Sequence, residues 1–277
     1  IGADGAVNAS SLMVTALALR AIAGADGAEM RGAGVLQRTT WMTLCVLSKP
    51  PMVAFILLEP MIHRWRALPR AARTVALVAL PGLAVSLVWI WAVDAEMAAW
   101  RLTESGTYPT EHFRLGWKLE FMLENPLHFP AATATTLWND VFGLWRQTIG
   151  VLGWLDTHLD LWVYVAISLL LVVTALDAPA LPPATRLRVA LWGTLLIVAY
   201  GTAVFAILFI TWTPPTEPQV WGVQGRYFVP VLPVAALVLA TLGHRLPRRV
   251  LTIAAIIGAL IAGLATIEGL WRVNWVP

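Results

Sequence analysis

Cysteine is all but missing. Cys45 is the only one in the chain, so an intramolecular disulfide is impossible and a cysteine-based metal site is excluded. Charge is scarce as well. Only 13% of residues are charged against 58% apolar ones, with a mean hydropathy of +0.72, a balance that a water-soluble domain of this length does not tolerate. The alternation that a membrane β-barrel needs in each strand is absent. So are a Gly-rich phosphate loop, a nucleophile elbow and a zinc-protease motif, which leaves soluble-nucleotide chemistry without support. The net charge of +3 comes from arginines clustered between apolar runs rather than along one amphipathic surface, so nothing points to nucleic acid. No metal and no cofactor is expected, and the sequence leaves protein partners open.

What is abundant is apolar sequence in long runs. In hydrocarbon every backbone amide must be paired within its own segment, so these runs predict helices and an all-α, polytopic integral membrane protein held in a lipid bilayer. The chain opens on Ile1 with an apolar helix at once and no basic n-region, so it carries no signal peptide and reads as a fragment lacking its N-terminal part. The first span covers about 6–23. Arg20 marks its end and the following loop carries Arg31 and Arg38, which the positive-inside rule assigns to the cytoplasm.

From Thr39 to Ile62 the apolar run is broken at Ser48-Lys49-Pro50-Pro51. Each half spans only about 15 Å as a helix, too short for a core of about 30 Å. Both flanks are basic, with Arg31 and Arg38 before and His63, Arg64, Arg66, Arg70 and Arg73 after. The expectation is a short re-entrant-like helical hairpin that turns at the prolines, and its rival is a single kinked span.

A span over 74–93 follows, with Pro81-Gly82 predicting a kink. Composition then changes: between Asp94 and Asp160 nine acids face four basic residues. This is the expected large extracytoplasmic loop, 94–160, within a single membrane domain, 1–277. Apolar residues at helical spacing predict interfacial helices over 113–123 and 130–145. The remaining spans are 161–176, 189–210, 228–242 and 250–271, and the loops between them on the cytoplasmic side hold Arg186 with Arg188, then Arg245, Arg248 and Arg249. The 15 tryptophans are mostly interfacial anchors; Trp117, Trp154 and Trp221 are candidates to stack on a sugar face.

Three stretches carry a resemblance: Ala3-Asp4-Gly5 with Asn8, Gly150-Val151-Leu152-Gly153-Trp154-Leu155-Asp156-Thr157, and Gly222-Val223-Gln224-Gly225-Arg226-Tyr227-Phe228 with Pro230 and Pro233. With Lys49-Pro50 they resemble the bacterial family of predicted membrane proteins called domain of unknown function 2142, over nearly the whole chain. That family is in turn distantly similar to the C-type membrane glycosyltransferases. The resemblance implies a multi-pass protein of the bacterial inner membrane that transfers a sugar from a polyprenyl-phosphate carrier to a cell-envelope glycan or lipid. The alternatives are a transporter or flippase of a lipid-linked saccharide and a non-catalytic subunit of an envelope-assembly complex.

The candidate site residues follow from these stretches. Arg226, with Gln224 and Tyr227 beside it, is placed to grip a phosphate through two parallel hydrogen bonds, or else snorkels to headgroups. Lys49 sits in an apolar stretch where a lone charge costs about 2.5–3.5 kcal/mol. It serves a lipid phosphate or pairs with Asp4. Asp4 orients donor or acceptor as the candidate catalytic acid, or caps its helix. Asp156 has the same two readings.

Overall fold

The computed structural model describes residues 3–23, 33–63, 68–105, 114–151, 157–177, 182–243 and 246–275, and no β-strand occurs among them. The chain is an all-α membrane protein. Its helices are α1 (Ala3–Ala23), α2 (Ala33–Ser48), a 3-10 helix (Pro50–Leu57), α3 (Leu58–Ile62), α4 (Leu68–Ser105), α5 (Leu115–Glu124), α6 (His128–Gly150) and α7 (Leu161–Ala175). After them come α8 (Pro183–Thr211), a second 3-10 helix (Gly225–Val231), α9 (Leu232–Ala240) and α10 (Arg248–Trp275). Among the described residues, four stretches are long and apolar enough to cross a membrane: Gly5–Ala23, Ala72–Trp89, Pro183–Thr211 and Arg248–Arg272. The chain forms two compact units, one of residues 1–141 with 195–223, the other of residues 142–194 with 224–277.

In the first unit, α1 buries Val7, Ser10, Val14, Leu17, Ala18 and Ala21, a stripe at helical spacing that packs on α2 and α3. Its buried hydroxyls stay satisfied inside the helix: Ser10 Oγ donates to Val7 O at 3.0 Å and Thr15 Oγ1 to Ser11 O at 2.8 Å. Polar side chains can therefore face a membrane core without an orphaned donor.

The broken segment is a hairpin. Helix α2 ends at Ser48, Lys49 is extended (φ −157°, ψ 139°), and the chain re-enters as a 3-10 helix at Pro50. A residue before proline is driven out of the α region, and the two prolines have no N–H to leave unsatisfied at a helix start. Arg38 on α2 and Glu59 on α3 meet at 2.7 Å, so the two arms run back along each other. A continuous kinked span would have set these residues at opposite ends.

Helix α4 packs on α2 at the Pro81-Gly82 pair. Proline at 81 cannot donate to Leu77 O, and the Thr39 hydroxyl, which donates to Val35 O at 2.9 Å, also lies 3.5 Å from that carbonyl. A Cβ on Gly82 would sit 3.1 Å from Val46 Cβ and 3.3 Å from Thr43 Cα. The small residue lets the backbones close. Away from α2, α4 exposes Leu77, Leu80, Leu87, Val88, Trp89 and Trp91, the apolar outer face of a bilayer-embedded helix.

In the second unit, α7 packs on α10 and α9. The Trp145 indole donates to Ser168 Oγ at 2.9 Å, and Leu246 N donates to Asp177 Oδ1 at 3.0 Å. Nine residues of α9 reach only about 14 Å, but the preceding 3-10 helix adds about 14 Å at its steeper rise. Together they approach the thickness of a hydrocarbon core of about 30 Å.

The span expected over 74–93 overlaps the membrane-crossing stretch Ala72–Trp89, and helix α4 runs on past it to Ser105, because a run such as Ala95-Glu96-Met97-Ala98-Ala99-Trp100 continues a helix whatever the surrounding solvent. One expectation is corrected. The arginines assigned to loops are largely helical: Arg38 lies in α2, Arg186 and Arg188 in α8, Arg248 and Arg249 in α10. Arg38 and Arg188 are buried. A guanidinium can be buried at a helix end when its donors are met, as by Glu59 for Arg38.

Candidate functional site

The stretch Gly222 to Phe228 is built around two glycines with different duties. Gly222 adopts φ +73°, a backbone state that disfavours any side chain, and it turns the loop after α8. Gly225 is held by contact. Its N–H donates to Gln147 Oε1 at 2.7 Å, and the Thr148 hydroxyl, 2.8 Å from Leu144 O, lies 2.9 Å from Gly225 O. A Cβ there would fall 1.9 Å from Leu144 O. The first turn of the 3-10 helix is thus pinned to the backbone of α6 within the second unit.

That pinning sets its neighbours. Gln224 is extended (φ −129°, ψ 138°) and caps the 3-10 helix through its carbonyl, which accepts from Tyr227 N at 3.0 Å. Its side-chain Oε1 is buried and has no hydrogen-bond partner among the described residues. Buried acceptors are nearly always met, so an orphan beside a pinned turn is a place for a ligand donor. Arg226 is exposed, with its guanidinium carbon 5.9 Å from the centre of the Tyr227 ring.

Lys49 stands in the first unit at the turn of the hairpin, half-buried, its carbonyl accepting from Met52 N at 3.0 Å. Asp4 lies in the first turn of α1, but its side chain falls outside the described residues. Asp156 also lies outside them, as does Trp154. The structure groups Gln224, Arg226 and Tyr227 in the second unit and sets Lys49 and Asp4 in the first. Of the candidate stacking rings, Trp117 already has one face on Phe121, at 5.5 Å and 11°, and Trp221 is exposed.

Two ionisable residues escaped the sequence reading. Glu59 is buried between Arg38 and His63, with His63 Nε2 3.7 Å from its Oε2. Lys118 on α5 is fully buried and donates to Thr213 O at 2.5 Å, with its ammonium 4.8 Å from the centre of the Phe209 ring. Burial pushes that ammonium down to about 8. It closes the carbonyl end of α8, where a cation complements the helix dipole. Thr213 Oγ1 accepts from Trp221 N at 3.0 Å and Thr136 Oγ1 from Val220 N at 2.8 Å, so the loop leading to Gly222 is tied down at both ends.

A signal for Lys118 was present. The chain has two lysines, Lys49 and Lys118, among 19 basic residues, and a sequence that otherwise uses arginine places each of them in an apolar context. Glu59 had a signal too, as the one acid between Thr39 and Ile62.

Among the described residues no group of three or more His, Cys, Asp or Glu side chains gathers for a metal ion. The family described as predicted membrane protein (DUF2142) matches residues 1–235, and the chain belongs to that family. No curated protein and no solved structure matches it.

Proposed function

For this member of a predicted membrane protein family, we propose transfer of a sugar from a polyprenyl-phosphate carrier to a cell-envelope glycan or lipid, at the extracytoplasmic face of the bacterial inner membrane. One observation carries the reading: Gln224, whose buried amide oxygen has no partner among the described residues, and the exposed Arg226 stand two positions apart on a turn that Gly225 fixes to α6. An acceptor beside a cation suits a sugar hydroxyl beside a phosphate.

In this reaction the bond between the sugar's anomeric carbon and the phosphate oxygen breaks, and a glycosidic bond forms to an acceptor hydroxyl. The proton of that hydroxyl goes to a carboxylate base, and polyprenyl phosphate leaves. Arg226 holds the phosphate and stabilises the charge that develops on it. Tyr227 frames the guanidinium and Asp156 orients donor or acceptor, while Lys49 and Asp4, which belong to the other unit, are proposed by themselves as a cation for carrier phosphate and a carboxylate for donor or acceptor. A second reading, a transporter of a lipid-linked saccharide, draws on the interrupted helix at Lys49-Pro50, since discontinuous helices line many transport sites.

The test is binding and turnover of a polyprenyl-phosphate sugar by the complete protein in nanodiscs. Arg226→Lys keeps the charge and loses the fork, and the expected loss of affinity is about 2–5 kcal/mol for a desolvated contact. Gln224→Leu should weaken the sugar-bearing carrier while leaving the bare carrier phosphate bound. Equal affinity in parent and Arg226→Lys defeats the phosphate site. Binding without transfer across donors and acceptors favours transport.

A further inference from the structure

The hairpin is closed at its base by charges, not by apolar packing alone. Arg38 Nε donates to Glu59 Oε1 at 2.7 Å, and Nη2 lies 3.5 Å from Oε2. The two side chains are 3% and 2% exposed, and His63 closes the far side of the carboxylate at 3.7 Å. The partners stand 21 residues apart, on either side of Lys49.

An ion pair with this burial does not serve stability well. Desolvating both groups offsets most of their attraction, and apolar residues of similar volume often do as well or better. What such a pair supplies is register, because a fork and a carboxylate match in one alignment while apolar side chains slide. Register matters here: Lys49 is extended at the turn, where its carbonyl accepts from Met52 N. The arms between turn and pair measure about 16 Å along α2 and about 19 Å along the 3-10 helix and α3. A slip of one residue at the base would therefore carry through to the tip.

We propose that Arg38 and Glu59 are positioning residues: a buried charge latch that fixes the register of the hairpin arms and so the placement of Lys49 at its turn. The latch touches no ligand. Its link to lipid-phosphate binding rests on the proposed function, but its effect on the turn does not.

The experiment uses the complete protein in nanodiscs. In the first arm, Lys49→Cys in a Cys45→Ser background reports the turn through its rate of reaction with a water-soluble maleimide. Arg38→Met and Glu59→Gln should each change that rate by about tenfold or more, whereas the swap of Arg38→Glu with Glu59→Arg restores it. Arg38→Lys, which keeps charge and loses the fork, should behave like Arg38→Met. In the second arm, with Lys49 intact, the dissociation constant for polyprenyl phosphate should weaken in the single variants and recover in the swap. Unchanged labelling in folded single variants overturns the latch. Where single variants do not fold, the swap decides: folding with parental labelling supports the latch, and altered labelling or failure to fold overturns it. If the parent binds no polyprenyl phosphate, the proposed function falls while the labelling arm still judges the latch.

Discussion

The two interruptions of this protein share one local design and differ in how it is secured. In each, an extended residue, Lys49 or Gln224, precedes a 3-10 helix that passes directly into an α-helix, at Leu58 or Leu232. The first unit secures its interruption with a buried ion pair between side chains. The second uses backbone: Gly225 lies against Leu144 O, Gln147 and Thr148 so closely that a side chain has no space. A charge pair can be exchanged for its mirror image, whereas a backbone contact has no substitute. Single substitutions at the two places are thus comparably damaging but differ in whether a second change repairs them.

The largest effect that would sharpen this contrast is Gly225→Ala. A methyl 1.9 Å from a carbonyl oxygen cannot be absorbed by a rotamer change, so the 3-10 helix must leave α6. The expected destabilisation is at or above the top of the ~1–3 kcal/mol range for overpacking. Gln147→Ala and Thr148→Ala should not rescue it, since Leu144 O stays in place. Thermal unfolding in detergent measures both, and a Gly225→Ala variant of parental stability breaks the comparison.

A smaller effect concerns the other buried charge of the first unit, Lys118. Its ammonium is held down at about 8 against an ordinary 10.5, so between these values the native chain binds fewer protons than the unfolded one. Stability from this group therefore rises as pH climbs from about 8 to about 10.5. The stability of Lys118→Met relative to the parent should fall over the same interval, which unfolding of both proteins at pH 7.5 and 10 resolves. A difference that stays flat with pH contradicts the buried, depressed lysine.

The smallest effect lies on the exposed rim of the second unit, where Arg272 meets Asp160 at 3.1 Å and also reaches Glu268. Water and salt screen this group, and surface pairs of this kind contribute little. Asp160→Asn should leave the unfolding midpoint unchanged at physiological salt. A clear loss would mean that the second unit, too, depends on side-chain charge.

Hydropathy alone located the break at Lys49-Pro50, the start of α7 at Leu161 and the two helices of the acid-rich stretch, because each is written in neighbouring residues. Helix ends were less legible. Arg38, Arg186 and Arg188 looked like loop residues since a charge beside an apolar run ordinarily marks its end, yet the helices include them. The site was legible in part. Gly222, Gly225 and Arg226 stood out as a motif, but the jam of Gly225 against Leu144 O depends on a helix about 80 residues upstream, and nothing local announces it.

By itself the sequence determined the solvent of this protein, its helical class and where its apolar runs are interrupted. Hydrocarbon obliges each segment to satisfy its own backbone, and composition along the chain states that requirement residue by residue. The tertiary structure alone decided which charges are buried and with whom. Glu59 meets Arg38 across a turn, and Lys118 meets Thr213 O across 95 residues. The energy of a buried charge depends on what lies within a few ångströms of it, and chain separation does not encode that distance.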